Sequence, residues 1–142
     1  MTTTLFDIHP TNASRLGQVD LQNLPFGSVF SDHMFVMDFK DGQWQGGSIQ
    51  PYGDMSLSPG SMALHYGQAI FEGMKAFRQP DGRVALFRPE ANMARFNVSA
   101  DRMCMPAVDE GLFQEVLMEL VKLDADWVPE ADGASLYIRP FM

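Results

Sequence analysis

The stretch Met74-Lys75-Ala76-Phe77-Arg78-Gln79-Pro80-Asp81-Gly82-Arg83-Val84-Ala85-Leu86-Phe87 decides the fold. Two short apolar-rich arms flank Gln79-Pro80-Asp81-Gly82, where proline restricts φ and glycine tolerates positive φ. The pattern predicts a hairpin of residues 74–77 against residues 84–87. Pro89 then suits the first turn of a helix, where its missing N–H has no partner to lose. That helix is expected to run to about Met103 and to stop before Pro106. Met93, Phe96, Ala100 and Met103 recur at spacings of three and four as its apolar stripe, while Asn92, Arg95, Ser99 and Arg102 lie on another side. Asp109 caps a third predicted helix through Asp124, with Leu112, Phe113, Val116, Leu117, Leu120 and Val121 as a broad buried face. Glu110, Gln114 and Lys122 fall outside that face.

Toward the N-terminus, Met34 to Phe39, the turn Lys40-Asp41-Gly42-Gln43 and Trp44 to Ile49 predict an earlier hairpin, ended by Pro51. Residues 56–60 read as a loop. The segment from Met62 to Phe71 has no clean period and is assigned a short helix broken by Gly73. Residues 1–25 are polar and irregular and are expected to form an arm or a loosely attached strand, with order beginning near Phe26-Gly27. Residues 26–142 are read as one small domain. After the Trp127-Val128-Pro129 break and the turn at Asp132-Gly133, residues 135–139 alternate as a strand. The result is an α+β domain with a mostly antiparallel sheet and flanking helices. Its last residues, Tyr137 to Met142, are apolar, and the chain is expected to be cut short there.

The 142 residues are 46% hydrophobic and carry a formal charge of −8, which argues against broad binding to nucleic acid or an anionic membrane. No apolar run approaches the ~20 residues of a membrane helix. Residues 1–9 lack the marks of a secretory signal, so cytoplasm is the default expectation. The single Cys104 excludes an internal disulfide, and its place in Met103-Cys104-Met105 suggests a small core side chain.

Phosphate-binding loop, nucleophile-elbow and zincin motifs are absent from the sequence, and His9, His33 and His65 are scattered. Lys40 and Lys122 read as solvated. Lys75 lies between apolar neighbours, where a desolvated amine forms an imine, or where a strand residue simply faces water between two buried ones. Arginine outnumbers lysine seven to three, which suits directional recognition of phosphate or carboxylate. Arg95 reads as a surface arginine on a polar helix side. Tyr137 and Arg139 are two residues apart on one strand and so share a face, to bind a carboxylate or to join a buried network. Tyr66 and Phe71 read as core aromatics.

Together these residues say more. The run Leu64-His65-Tyr66-Gly67-Gln68-Ala69-Ile70-Phe71-Glu72-Gly73-Met74-Lys75-Ala76-Phe77 resembles the same region of branched-chain amino acid aminotransferases. So do Leu86-Phe87-Arg88-Pro89 with Asn92-Met93-Ala94-Arg95, and Ser135-Leu136-Tyr137-Ile138-Arg139-Pro140. Phe26-Gly27, Phe30-Ser31-Asp32-His33-Met34 and Asp126-Trp127-Val128-Pro129 complete the set, in the family's order and spacing.

The resemblance implies the small N-terminal domain of a fold-type IV enzyme that uses pyridoxal 5′-phosphate. Such an enzyme works as a homodimer or larger assembly and moves the amino group of leucine, isoleucine or valine onto 2-oxoglutarate. By position, Arg95 resembles the arginine that holds the cofactor phosphate. Phe26, Tyr66, Phe71 and Tyr137 resemble the pocket walls, and Arg139 the arginine beside that pocket. The family's Schiff-base lysine belongs to a C-terminal domain beyond Met142, so these residues alone are expected neither to transaminate nor to hold the cofactor. The competing readings are another fold-type IV enzyme (D-amino acid aminotransferase or aminodeoxychorismate lyase) and a non-catalytic short binding protein.

Overall fold

The computed structural model describes residues 6–21 and 23–142. It is a small α+β structure of two three-stranded, largely antiparallel sheets and three α-helices. In the first sheet, β2 (His33–Lys40) and β3 (Gln43–Pro51) form the expected hairpin. Asp41 and Gly42 both take positive φ, 53° and 77°, at its two-residue turn, as a turn matched to strand twist requires. The short β1 (Asp7–Ile8) joins β3 in parallel on the opposite edge. Phe6 is buried beside Ile49 and Val116, so ordered packing reaches back well before Phe26.

The second sheet has the order β5–β4–β6, from β4 (Met74–Arg78), β5 (Val84–Leu86) and β6 (Leu136–Ile138). Its central hairpin is the one read from the Pro80-Asp81-Gly82 turn. Met74 and Ala76 face inward onto Leu117 and Val121 of α3 (Glu110–Leu123) and onto Val128. Lys75 between them is exposed, which settles its alternatives in favour of a solvent-facing strand residue. Asp109 caps α3 by accepting the Leu112 N–H at 2.8 Å.

Helix α2 (Pro89–Arg102) begins on its proline and buries Met93, Phe96 and Ala100. Met103 is its C-cap and is 36% exposed, so the apolar stripe ends one position earlier than its period suggests. Cys104 corrects the sequence reading. It is exposed, with φ at 54°, because it occupies the left-handed position that closes the helix. The Met105 N–H reaches back to the Ala100 carbonyl at 2.8 Å, a Schellman-type ending that turns the Cys104 side chain outward.

A second correction concerns the short helix. It spans only Met62–Tyr66 (α1), and Gly67, at φ 62°, ends it rather than Gly73. From Ile70 onward the chain is extended. Ile70 and Met142 exchange backbone hydrogen bonds, Phe71 bridges Phe141, and Glu72 N–H donates to the Pro140 carbonyl. Pairing between β4 and β6 is thereby prolonged, and Ile70, Glu72, Met74 and Ala76 alternate inward while Phe71 and Lys75 face out.

Candidate functional site

The outward face of this extended pairing collects four of the residues singled out from the sequence. Phe71 and Tyr137 come from neighbouring strands. Arg139 places its guanidinium carbon 4.9 Å from the Phe71 ring centre and 5.2 Å from that of Tyr137. Its Nη2 donates to the Tyr137 hydroxyl at 3.1 Å. Phe26 stands edge-on to Tyr137, with centroids 5.1 Å apart. Arginine stacked on aromatic faces keeps its remaining N–H donors in one plane, a geometry suited to a carboxylate. Phe26 is 77% exposed and Phe71 63%, so the group is an open apolar surface carrying one cation.

Gly73 makes this arrangement possible. A Cβ there would overlap the Tyr137 hydroxyl and come within 3.0 Å of its ring carbons. Only glycine leaves room for the phenol to lie across the strand. Tyr66, by contrast, is not brought into the group. It ends α1, is exposed, and makes no side-chain ring contact or hydrogen bond among the described residues.

Arg95 lies beside Glu72, on the opposite side of the Phe71 strand. Its Nε and Nη2 donate to the two Glu72 oxygens at 2.5 and 2.7 Å. Asn92, one helical turn earlier, donates its amide to Glu72 Oε2 at 3.0 Å and to the Gly73 carbonyl at 3.1 Å. The Gly73 N–H adds a fourth donor to that carboxylate. Hydrogen bonds from Arg95 hold the Glu72 carboxyl down at about 2 against burial, which acts the other way; Asn92, the Arg95 charge and Gly73 assist. The same pairing raises Arg95. Arg95 is thus more than a plain surface arginine, although its side chain is 65% exposed.

Sequence reading missed Glu72, Gly73 and Asn92. One signal was present: continuing the β4 alternation back through Ile70 puts Glu72 inward, where a carboxylate requires a partner. The aromatic–arginine group sits on an open face, not in an enclosed cavity. A cleft of about 370 Å³ lies instead at Leu21, Arg78, Asp126, Val128 and Glu130. There each Arg78 nitrogen donates to a backbone carbonyl, of Val128, Gly82 and Ala125, which ties the cleft wall together. No helix among the described residues is long and apolar enough to cross a membrane.

Comparison with known proteins agrees with the resemblance. The chain is 53% identical over 124 residues to the branched-chain-amino-acid transaminase 1 of Bacillus subtilis (strain 168), covering 87% of this chain and 35% of that protein. It is 52% identical over 124 residues to the same organism's branched-chain-amino-acid aminotransferase 2, covering 87% and 34%. A probable branched-chain-amino-acid aminotransferase of Streptomyces coelicolor (strain ATCC BAA-471 / A3(2) / M145) is 47% identical over 136 residues, covering 94% and 37%. No family model matches the chain. The chain spans about a third of the length of these curated relatives and is homologous to them across that segment.

Proposed function

We propose that this chain forms part of a fold-type IV branched-chain-amino-acid aminotransferase, contributing the substrate-facing wall and a phosphate contact of its active site. The observation that carries the reading is the convergence of Phe26, Phe71, Tyr137 and Arg139 on one open face, in a segment about half identical to proteins of that name. Aromatic walls take an aliphatic side chain by contact area, and one methylene changes that by only ~1–3 kcal/mol. Leucine, isoleucine and valine would then all be accepted, with 2-oxoglutarate as the second substrate. Arg139 is the group for a substrate carboxylate. Tyr66, exposed on α1, is available to close the wall from another part of the assembly.

The residues fit the phosphate end of pyridoxal 5′-phosphate. Arg95 commits Nε and one Nη2 hydrogen to Glu72 and keeps its other donors toward solvent. When bound, that cofactor supplies the electron sink for amino-group transfer. This chain's part is to hold the phosphate oxygens and orient the substrate side chain. Exposure of Phe26, Phe71, Phe87 and Phe141, each at 60% or more, supports a face covered by further protein, whether a second domain or a homodimer partner. By themselves residues 1–142 are expected to be inactive, since family resemblance assigns the imine-forming lysine to none of Lys40, Lys75 and Lys122.

A chimera tests the proposal, with residues 1–142 replacing the matching segment of the Bacillus subtilis transaminase 1. It should take up pyridoxal 5′-phosphate and convert leucine, isoleucine and valine with 2-oxoglutarate. A folded, cofactor-loaded chimera that instead prefers D-alanine or aminodeoxychorismate would overturn the substrate assignment. Turnover by the isolated chain would sink the expectation of inactivity. A tight, saturable protein complex formed by the isolated chain without cofactor would favour the binding-protein reading.

A further inference from the structure

We propose that Glu72 is a positioning residue, its buried carboxylate gripping one edge of the Arg95 guanidinium so that the other edge is presented in a fixed plane to the oxyanion of a phosphate-bearing ligand. The inference rests on the reading of Arg95 as the phosphate contact and adds a role for a residue that touches no ligand.

The geometry is specific. A guanidinium has a side-on edge, made by Nε–H and one Nη2–H, and an end-on edge made by the outward hydrogens of Nη1 and Nη2. Glu72 occupies the side-on edge with both oxygens, at 2.5 and 2.7 Å. The end-on edge stays free among the described residues and lies on the exposed part of a side chain that is 65% accessible, while Glu72 is 6% accessible. The carboxylate is itself locked: it accepts from Asn92 at 3.0 Å and from the Gly73 N–H at 3.3 Å besides Arg95. Four donors on two oxygens leave it no freedom to turn. It is anchored by strand pairing on one side, through its own N–H to the Pro140 carbonyl, and by α2 on the other.

Two opposed effects follow for an anion at the free edge. Glu72 removes the rotamer freedom that binding must otherwise suppress in an exposed arginine, which favours the anion. Its charge also repels the anion. That repulsion acts across the guanidinium from a buried carboxylate, where salt screens it little, and the inference is that fixing the guanidinium plane outweighs it. A residue that merely neutralised Arg95 would act in the opposite direction, and the sign of one measurement separates the two roles.

The experiment titrates inorganic phosphate into the 142-residue chain, labelled at arginine nitrogen, and follows the Arg95 Nε–H resonance by NMR. A saturable response that Arg95→Ala abolishes is expected in the wild type. Glu72→Gln turns an amide donor toward the Arg95, Asn92 and Gly73 donors, and should weaken the phosphate response about three- to tenfold. Asn92→Ala keeps both charges, loosens the carboxylate, and should weaken it less. This second variant keeps the test open if Glu72→Gln fails to retain the wild-type amide spectrum. A wild-type response with equal or tighter binding in folded Glu72→Gln, or no weakening in Asn92→Ala where Glu72→Gln does not fold, overturns the positioning role while leaving the Arg95 reading intact. No wild-type response, or one that survives Arg95→Ala, overturns the inference, while cofactor uptake by the chimera and its loss in the chimera's Arg95→Ala variant test the Arg95 reading separately.

Discussion

Two clusters in this molecule combine aromatic and basic groups, and they differ in what surrounds them. One ties residues 11–15 to the end of α3. Thr11 N–H donates to His33 Nε2 at 2.9 Å, so Nδ1 carries the hydrogen and gives it to Asp124 Oδ1 at 2.6 Å. Asp124 Oδ2 accepts the His33 N–H, and Asp32 takes the Trp127 indole and the Arg15 backbone N–H. The His33 and Asp124 side chains are 5% and 3% exposed. The other cluster is the Phe26, Phe71, Tyr137 and Arg139 face, largely open to solvent. A histidine–aspartate pair resembles catalytic machinery, yet here every imidazole position is filled from within the chain, leaving nothing to abstract or deliver a proton. Arg139 and its aromatic neighbours retain unused donors and uncovered area. Satisfaction and burial mark the first cluster as structural, and the unspent capacity of the second is what the proposed function rests on.

Removing the hub of the closed cluster tests this difference most strongly. Asp124→Ala strands the His33 Nδ1–H and backbone N–H in the interior and should destabilise the chain by about 2–4 kcal/mol in urea unfolding. A loss below about 0.5 kcal/mol would break the comparison. Acid gives the next effect. Burial tends to raise the Asp32 carboxyl, but the Arg15 N–H, Ser14, Trp127 and the Arg15 side chain outweigh it and hold it at about 2, below the usual 3.8. A carboxyl lowered on folding contributes stability that is complete above its unfolded value and is lost as pH falls toward the folded one. Between about pH 4 and pH 2 Asp32 should therefore account for a decline of about 2 kcal/mol. Urea midpoints of wild type and Asp32→Asn across that range check it, and parallel slopes would refute it.

On the open face the effects on stability shrink. Gly73→Ala should cost about 1–2 kcal/mol by driving Tyr137 from its place, with loss of the Phe26–Tyr137 proton contacts in NMR as the direct readout. Unchanged contacts would show that Gly73 is not what admits the phenol. Phe26→Ala should alter stability by less than about 1 kcal/mol, because a ring so exposed contributes little beyond its edge contact. A larger loss measured by urea unfolding would make Phe26 part of the core and erase the contrast between the clusters.

The sequence by itself determined the elements whose causes are local. Pro80-Asp81-Gly82 and Asp41-Gly42 placed two hairpins, and Pro89 and Asp109 started two helices within a residue of their observed positions. Local rules failed where the chain changes state over a few residues. At Met62 to Gly73 a five-residue helix gives way to extended pairing, and Cys104 is turned out by a helix ending that its apolar neighbours do not reveal. Tertiary structure alone decided which polar groups meet. Glu72 and Arg95 are 23 positions apart, and His33 and Asp124 are 91 apart. Periodicity states which way a side chain points from its own element, but a partner on another element is set by how sheets and helices pack. Whether an arginine or a histidine is spent on structure or left free for a ligand follows from that packing.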